Sequence, residues 1–247
     1  MITAENTISE EKIQVRYSDI DFDKSLKPFS LLNFFQDIAS DNAERLGFGY
    51  SKIYPQNLMW VLLKYRIEFT HYPEDIQDLI IRTEPRGYNK LFAYRNFEVK
   101  SGNNTIARAS SMWSLVDINT LSIAKIEPHI DSPYLIKHEL KEGDLEFQKI
   151  PALSEVHSEK SFEVRYNDID VNMHANNGNY IIWALEPLDK DFRLNHKLKN
   201  IDMLFKKEVK LGEQLVSQVQ IADNKTIHTL KHSDSGEELC LLCCEWV

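Results

Sequence analysis

Two stretches of the chain share one alternation of apolar and polar residues that runs into a polar turn. Residues 13–21 and 162–170 both contain the pattern Val-Arg-Tyr-x-Asp-Ile-Asp, at an offset of 149 residues, and six of its seven positions are identical. Each copy reads as a strand that ends in a polar turn. Self-similarity at a long fixed offset is typical of two copies of one structural unit. The sequence therefore predicts an internal duplication.

An amphipathic helix is predicted directly after the first copy. Its apolar positions recur every three or four residues, as one face of a helix requires, at Leu32, Phe35, Ala39, Ala43 and Leu46. Pro28 suits the first turn of this helix, and Gly47 suits its carboxyl cap. The second copy is followed by a shorter helix, predicted at residues 177–185, because Pro187 cannot continue it.

Each helix is followed by apolar segments that predict a run of strands. These segments are rich in Val, Ile, Leu, Tyr and Phe and are separated by turn residues, at 58–70, 76–86, 90–100 and 105–117 in the first unit and 200–210, 213–223, 225–232 and 237–247 in the second. The turn between the last two strands is a hairpin at residues 234–236. We expect a first unit at residues 1–127, a linker at 128–160 and a second unit at 161–247.

Polar residues that occur in one copy only identify the candidate site. Counted from the shared Asp21 and Asp170, the second copy has Asn172, His174 and Asn177 where the first has Asp23, Ser25 and Pro28. If these positions only shaped a turn, both copies could use the same residues. The alternative is an ordinary connecting loop, since Asn, Asp and Gly are common turn residues. The difference favours one active unit and one unit kept for binding and structure.

Asn172 and His174 point the same way if the backbone is extended. The amino end of the helix at 177–185 follows at once, and its N–H groups are candidates to hold a developing oxyanion. His174 is a candidate donor or acid–base group, and Asp170 is a candidate to fix its tautomer. The alternative is a histidine that only caps the loop.

Glu208 is the second candidate acid–base residue. It falls in the predicted strand at 200–210, beside apolar neighbours, and a glutamate against apolar surface is a usable base for water. The alternative is a solvated strand residue. The sequence leaves open whether Asp170 or Glu208 activates water.

Composition limits the remaining classes of function. The 247 residues are 43% hydrophobic and carry a net charge of −9, which predicts a globular protein and argues against general nucleic-acid binding. We find no apolar run long enough to cross a membrane and no signal-peptide pattern, and we expect a cytoplasmic protein. A homodimer is left open.

A basic cluster in the second unit has two interpretations. It is a candidate docking surface for an acidic partner, or it is simply a solvated face. Its members are Arg193, Lys197, Lys199, Lys206, Lys207 and Lys210.

The three cysteines do not predict a metal site. On a strand, Cys240 and Cys244 share a face but lie about 13 Å apart, and Cys243 points the other way. One zinc ion, bound at about 2.3 Å from sulfur, cannot use them together. We expect buried small apolar residues and no disulfide framework.

The second copy resembles the catalytic motif of the acyl-acyl carrier protein (ACP) thioesterases of plants and bacteria. The resemblance rests on Asp-Val-Asn-Met-His-Ala-Asn-Asn-Gly at residues 170–178 and continues to Glu186. In the first half it rests on residues 60–68, on Tyr72-Pro73 and on residues 107–113. It covers nearly the whole chain.

The resemblance implies an α+β double hotdog fold, in which two tandem repeats each wrap an antiparallel sheet around a helix. It implies hydrolysis of the thioester that joins a fatty acyl chain to ACP, without a cofactor. It assigns the catalytic set to Asp170, Asn172, His174 and, with a looser alignment, Glu208. The plant members have a cysteine directly after that glutamate, whereas this chain has Val209, so attack by a cysteine at that position is excluded.

By the same resemblance, the first unit would hold the acyl chain. Two other functions stay open from the sequence. One is a hotdog dehydratase acting on 3-hydroxyacyl thioesters, and the other is a non-catalytic module that binds acyl thioesters. The residues do not set the acyl chain length or the choice between ACP and coenzyme A.

Overall fold

The computed structural model describes residues 4–72, 78–139 and 144–247, and the chain divides into two units. Unit 1 comprises Met1–Leu63 and Thr70–Glu146, and unit 2 comprises Lys64–Phe69 and Phe147–Val247. Two predictions lie partly outside the described residues. They are the strand start and turn at residues 73–77, and residues 140–143 of the linker.

Unit 1 is an antiparallel sheet with one long helix. Its elements are β1 (Ser9–Gln14), α1 (Pro28–Arg45), α2 (Tyr50–Ile53), β2 (Leu58–Phe69), β3 (Asp78–Asn89), β4 (Phe92–Ser101), β5 (Asn104–Asp117) and β6 (Ile123–Ala124), with short 3-10 turns at Ala4–Thr7, Tyr17–Asp19 and Tyr54–Gln56. The sheet order is β1-β3-β4-β5, with β6 paired to β5. Strand β2 belongs to unit 1 up to residue 63, and its remaining residues belong to unit 2.

Helix α1 confirms the prediction made from its apolar spacing. It begins at Pro28 and ends at Arg45, and the left-handed Gly47 (φ 80°) follows. Its apolar face is buried, and Phe35 stacks on Phe97 of β4 with ring centroids 4.3 Å apart. A buried aromatic pair contributes on the order of 1 kcal/mol beyond its burial, so this contact stabilises the docking of α1 on the sheet.

The chain after β6 packs against unit 1 instead of leaving it as a linker. Ile126 and Ile130 are buried in the unit 1 core. The Tyr88 N–H donates to the Ile136 carbonyl at 3.0 Å. This approach depends on Gly87 (φ 91°), where a Cβ would lie 2.6 Å from the Ile136 oxygen. The predicted linker at 128–160 is therefore divided, with residues up to 146 in unit 1 and the rest in unit 2.

Unit 2 repeats the architecture with a shorter helix. Its elements are β7 (Ser158–Glu163), a 3-10 turn (Tyr166–Asp168), α3 (Asn177–Leu185), α4 (Lys190–Asn195), β8 (Leu198–Phe205), β9 (Gln214–Ala222), β10 (Lys225–His232) and β11 (Glu238–Trp246). The sheet order is β2-β8-β11-β10-β9-β7, where β2 contributes through residues 64–68. The predicted helix at 177–185 and the hairpin at 234–236 are confirmed.

Three strand predictions are wrong at their ends. The repeated Val-Arg-Tyr-x-Asp pattern forms 3-10 turns, and strands β1 and β7 end before it. The predicted strand at 200–210 ends at Phe205, because the N–H groups of Lys206 and Lys207 both donate to the Leu239 carbonyl. That shared acceptor interrupts the ladder and turns the chain off the sheet.

The cysteines lie on β11, where Cys240 and Cys244 are buried and Cys243 is partly buried. Burial raises the pKa of the Cys240 and Cys244 thiols, so both stay protonated. Among residues 4–72, 78–139 and 144–247, we find no group of three or more His, Cys, Asp or Glu side chains that could hold a metal ion. No helix within those ranges is long and apolar enough to cross a membrane.

His228 on β10 predicts a pH-dependent stability. Complete burial lowers its pKa from 6.5 to about 4, and its Nε2 lies 2.7 Å from the Thr226 hydroxyl. The unfolded chain therefore binds more protons than the folded protein between pH 4 and 6.5, and stability falls as the pH falls through that window. We expect His228→Asn to remove about 2 kcal/mol of the stability lost between pH 7.5 and pH 5, measured by urea unfolding. The exposed His157→Asn is the control, and an unchanged pH slope in His228→Asn would contradict the assignment.

Candidate active site

The two copies of the repeated sequence fold into the same loop. In the second, the Asp170 N–H donates to the His174 carbonyl at 2.8 Å, and in the first the Asp21 N–H donates to the Ser25 carbonyl at 2.9 Å. The residue before each acceptor is left-handed, with φ of 64° at Met173 and 63° at Lys24. The duplication predicted from the sequence is thus present at the level of single hydrogen bonds.

The second loop is anchored by Asp168, which is buried. Its carboxylate accepts the N–H of Arg165 at 2.8 Å and its carbonyl accepts the N–H of Asn176, also at 2.8 Å. The same carbonyl accepts the side-chain amide of Asn179 on α3 at 2.8 Å. These bonds connect the 3-10 turn to the loop and to the start of α3, so the three segments form one rigid unit.

The side chains of His174 and Glu208 contact each other beside this loop. The His174 Nε2 lies 3.3 Å from the Glu208 Oε2, and the two side chains are 23% and 38% exposed. Both side chains are therefore partly accessible to solvent. An imidazole held against a carboxylate is a suitable acid–base pair near neutral pH.

Backbone contacts bring Glu208 to the histidine. The Ala175 N–H donates to the carbonyl of the buried Val209 at 2.8 Å, directly beside each member of the pair. The Tyr180 hydroxyl donates to the Lys207 carbonyl at 3.1 Å, and burial raises the pKa of this phenol, which stays a donor. These two bonds fix residues 207–209 on both sides of Glu208.

Glu208 therefore reaches the site from a loop and not from a strand. The sequence placed it on a strand beside apolar neighbours, and that part of the prediction is wrong because β8 ends at Phe205. Its position comes from contacts with residues more than 25 positions away in the chain, at Ala175 and Tyr180.

Asp170 shapes the loop through backbone groups. Its carboxylate accepts the N–H of Asn172 at 2.8 Å, and its own N–H donates to the His174 carbonyl. Asn172 is exposed at the tip, one residue before the left-handed Met173. The structure thus places Asp170, Asn172 and His174 in one tight turn, with Glu208 against its histidine.

The amino end of α3 is less available than the sequence suggested. Asn176 is the N-cap residue, and its side chain accepts the Gly178 N–H at 2.7 Å. Its carbonyl accepts the Asn179 N–H at 2.9 Å. Two of the first N–H groups of α3 therefore already have acceptors and are not available as the oxyanion donors that the sequence predicted.

The equivalent loop of unit 1 carries a carboxyl pair instead of the histidine. Burial, reinforced by the neighbouring Asp23, raises the pKa of Asp21 to about 6. The N–H of Ser25, at the position of His174, donates to both carboxylates, at 2.9 and 3.1 Å. This loop has the same backbone turn as the second loop and has no imidazole.

Several residues that hold the site were not singled out from the sequence. Asp168 and Asn179 anchor the loop, while Tyr180 and Val209 anchor the segment that carries Glu208. The repetition of Asp19 as Asp168 was a usable signal, since a residue that occurs in both copies is typical of a shared structural role. No local pattern points to Tyr180 or Val209.

Fold and site together define the class. Two tandem units, each an antiparallel sheet with a helix, are a double hotdog, as the resemblance implied. The crystal structure of an acyl-ACP thioesterase from Bacteroides thetaiotaomicron matches with a TM-score of 0.88 at 23% identity, covering 100% of both chains. The 12:0-ACP thioesterase of Umbellularia californica matches with a TM-score of 0.85 at 19% identity, over 98% of this chain and 94% of that one.

The family follows from the sequence. The model of the acyl-ACP thioesterase N-terminal domain matches residues 6–134, and the model of the C-terminal domain matches residues 151–247. This chain belongs to the acyl-ACP thioesterase family. It is 25% identical over 224 residues to the chloroplastic oleoyl-acyl carrier protein thioesterase of Coriandrum sativum, which covers 84% of this chain. The chain spans 61% of the length of that relative.

Proposed function

We propose that this protein hydrolyses the thioester between a fatty acyl chain and ACP. The observation that carries the proposal is the His174–Glu208 pair, at 3.3 Å, in one of two otherwise equivalent loops. Family membership supplies the substrate class, and the exposed edge of the pair suits a reaction with water. The free fatty acid would be a product of fatty acid biosynthesis.

The reaction is written as a direct attack by water. Glu208, in contact with His174, accepts a proton from water as the water oxygen bonds to the thioester carbonyl carbon. Asn172 and His174 donate hydrogen bonds to the oxyanion that develops on the carbonyl oxygen. The carbon–sulfur bond then breaks, and the thiolate takes up the proton held by the Glu208–His174 pair. Asp170 keeps the turn that presents both donors.

Unit 1 would hold the acyl chain. A cavity of about 90 Å³ lies between α1 and the helix-facing side of its sheet, with Trp60, Ala93 and Trp113 on the sheet side and Ala39 and Ala43 on the helix side. Its wall is largely apolar, as the binding of an alkyl chain requires. The loop of unit 1, without the histidine, fits a role in binding instead of hydrolysis.

We expect Glu208→Gln and His174→Ala each to lower kcat/KM for acyl-ACP at least about 100-fold, since acid–base groups contribute about 10²–10⁴-fold. Release of the carrier thiol is the measurement. His157→Ala, which removes the imidazole of an exposed His–Glu pair in the same unit, is the matched control. Near-normal rates in both site variants would refute the residue assignment.

The same assay separates the two alternative functions. Loss of water from a 3-hydroxyacyl substrate without thiol release would identify a dehydratase. Return of intact thioester would identify a binding module.

We propose that ACP docks on the basic cluster of unit 2. Four of its six members are partly neutralised by glutamates, in the pairs Arg193–Glu186, Lys199–Glu245, Lys206–Glu238 and Lys207–Glu237. Lys210 follows Glu208 by two residues, and its position beside the site makes it a suitable contact for an acidic carrier. The homodimer and the cytoplasmic location stay predictions from the sequence.

We expect Lys210→Glu to raise KM for acyl-ACP several-fold with little change in kcat, because charge reversal weakens encounter more than chemistry. The effect should shrink as salt increases from 50 to about 500 mM, which screens exposed charges. Lys52→Glu, on α2 of unit 1, is the control for net charge. Equal KM values for both variants at low salt would remove Lys210 from the docking surface.

A further inference from the structure

The segment that carries Glu208 ends in a tight turn closed by Glu213. Residues 206–213 connect β8 to β9. In the turn, the Lys210 N–H donates to the Glu213 Oε2 at 2.8 Å, and the Glu213 N–H donates back to the Lys210 carbonyl at 3.2 Å. Gly212, between them, has the left-handed conformation (φ 81°). These reciprocal bonds tie the backbone two residues after Glu208 to the Glu213 carboxylate.

The Glu213 carboxylate also contacts a histidine on the strand beside β9. His232 is the last residue of β10, and its Nε2 lies 3.4 Å from the Glu213 Oε2, the same oxygen that accepts the Lys210 N–H. The two side chains are 23% and 32% exposed. A carboxylate has lone pairs for several donors, so one oxygen connects the end of β10 to the turn.

Backbone contacts fix both ends of this connection. The Gly212 N–H donates to the carbonyl of the buried Val164 at 2.9 Å, and the Val164 N–H donates to the Glu213 carbonyl at 3.0 Å. At the other end, His232 is paired with Leu215 in the ladder between β10 and β9. The Glu213 carboxylate therefore acts on the turn from an ordered part of the sheet.

The turn acts on Glu208 through the two residues that follow it. The bond from Ala175 holds Val209, and the Glu213 carboxylate holds the next residue, Lys210. Loss of the Glu213 oxygen removes the acceptor of the Lys210 N–H and frees the turn to open. A displacement of about 1 Å at a reacting group can cost on the order of 100-fold in rate, so the alignment of Glu208 is sensitive to this turn.

We propose that Glu213 is a positioning residue for the acid–base pair. Oriented by His232, its carboxylate holds the turn at residues 210–213 and so keeps Glu208 aligned with His174. Glu213 takes up no proton in the reaction and acts only through the backbone that carries Glu208. This inference rests on the proposed thioesterase function and deepens it by adding a residue to the same site.

The test is thiol release from acyl-ACP by the purified wild-type, Glu213→Ala and Glu213→Gln proteins. We expect Glu213→Ala to lower kcat about tenfold and to change KM less than about twofold, because alignment is lost while substrate binding stays. Glutamine keeps an oxygen that accepts the Lys210 N–H, so Glu213→Gln should recover kcat to within about threefold of the wild type. The control is Glu163→Ala, which removes an equal charge from β7, where Glu163 accepts the Gln214 amide at 3.0 Å, and it should keep the wild-type kcat.

The Glu208→Gln background separates positioning from a general structural effect. A residue that acts only through the Glu208 carboxylate has nothing to align once that carboxylate is gone. Glu213→Ala should therefore lower the residual kcat of Glu208→Gln less than about twofold. An equal loss in both backgrounds would overturn the inference, and so would a wild-type kcat in Glu213→Ala.

His232→Leu provides a second test in case Glu213→Ala does not fold, which circular dichroism and thermal melting would reveal. It leaves the turn bond in place and removes the imidazole that orients Glu213. A partly exposed pair makes a small contribution, so kcat should fall about threefold with KM unchanged, and the loss should disappear in the Glu208→Gln background. An unchanged kcat in a folded His232→Leu would contradict the proposal.

The two proposals fail in different ways. If the wild-type protein releases no thiol from any acyl-ACP, the proposed function fails and the inference fails with it. If the wild-type protein hydrolyses acyl-ACP and Glu208→Gln is slow, but Glu213→Ala keeps the wild-type kcat, the role of Glu213 alone is refuted.

Discussion

The site depends on one backbone hydrogen bond, from the Ala175 N–H to the Val209 carbonyl. It joins the residue after His174 to the residue after Glu208, which are separated by more than 30 positions in the chain. A backbone bond of this kind contributes only about 1 kcal/mol of net stability, but it fixes two side chains in hydrogen-bond range. A catalytic pair assembled from distant segments needs such a constraint, because flexible side chains alone do not stay aligned.

The duplication places two different sets of side chains on one loop backbone. Both loops have the turn bond, the left-handed residue and an aspartate whose carboxylate accepts the N–H of the arginine three residues before it, at Asp19 and Asp168. Only the side chains at the tip differ. In unit 1, Asp23 and Ser25 stand where unit 2 has Asn172 and His174. Burial and the neighbouring Asp23 raise the pKa of Asp21 to about 6. Retention of the fold without the imidazole agrees with a division of labour between the units.

The sequence predicted those elements whose signal is local. Helix α1 and the strands of both units carry their own periodicity, and α3 is bounded by Asn177 and Pro187. The 3-10 turns were missed because Val-Arg-Tyr-x-Asp alternates like a strand, while the bond from the arginine N–H to the aspartate carboxylate favours a turn instead. The site residues came from comparing the two copies. The route by which Glu208 reaches His174 was not predictable, since it depends on long-range contacts to Ala175, Tyr180 and Leu239.

The central claim is that His174 and Glu208 act as one unit, and a double-mutant cycle measures this directly. The cycle compares kcat/KM for acyl-ACP in the wild type, the two single variants and the double variant His174→Ala/Glu208→Gln. A pair that works only when both members are present predicts a double variant about as slow as the slower single variant. Losses that multiply, so that the double variant is slower by the product of the two single effects, would show independent roles and contradict the account.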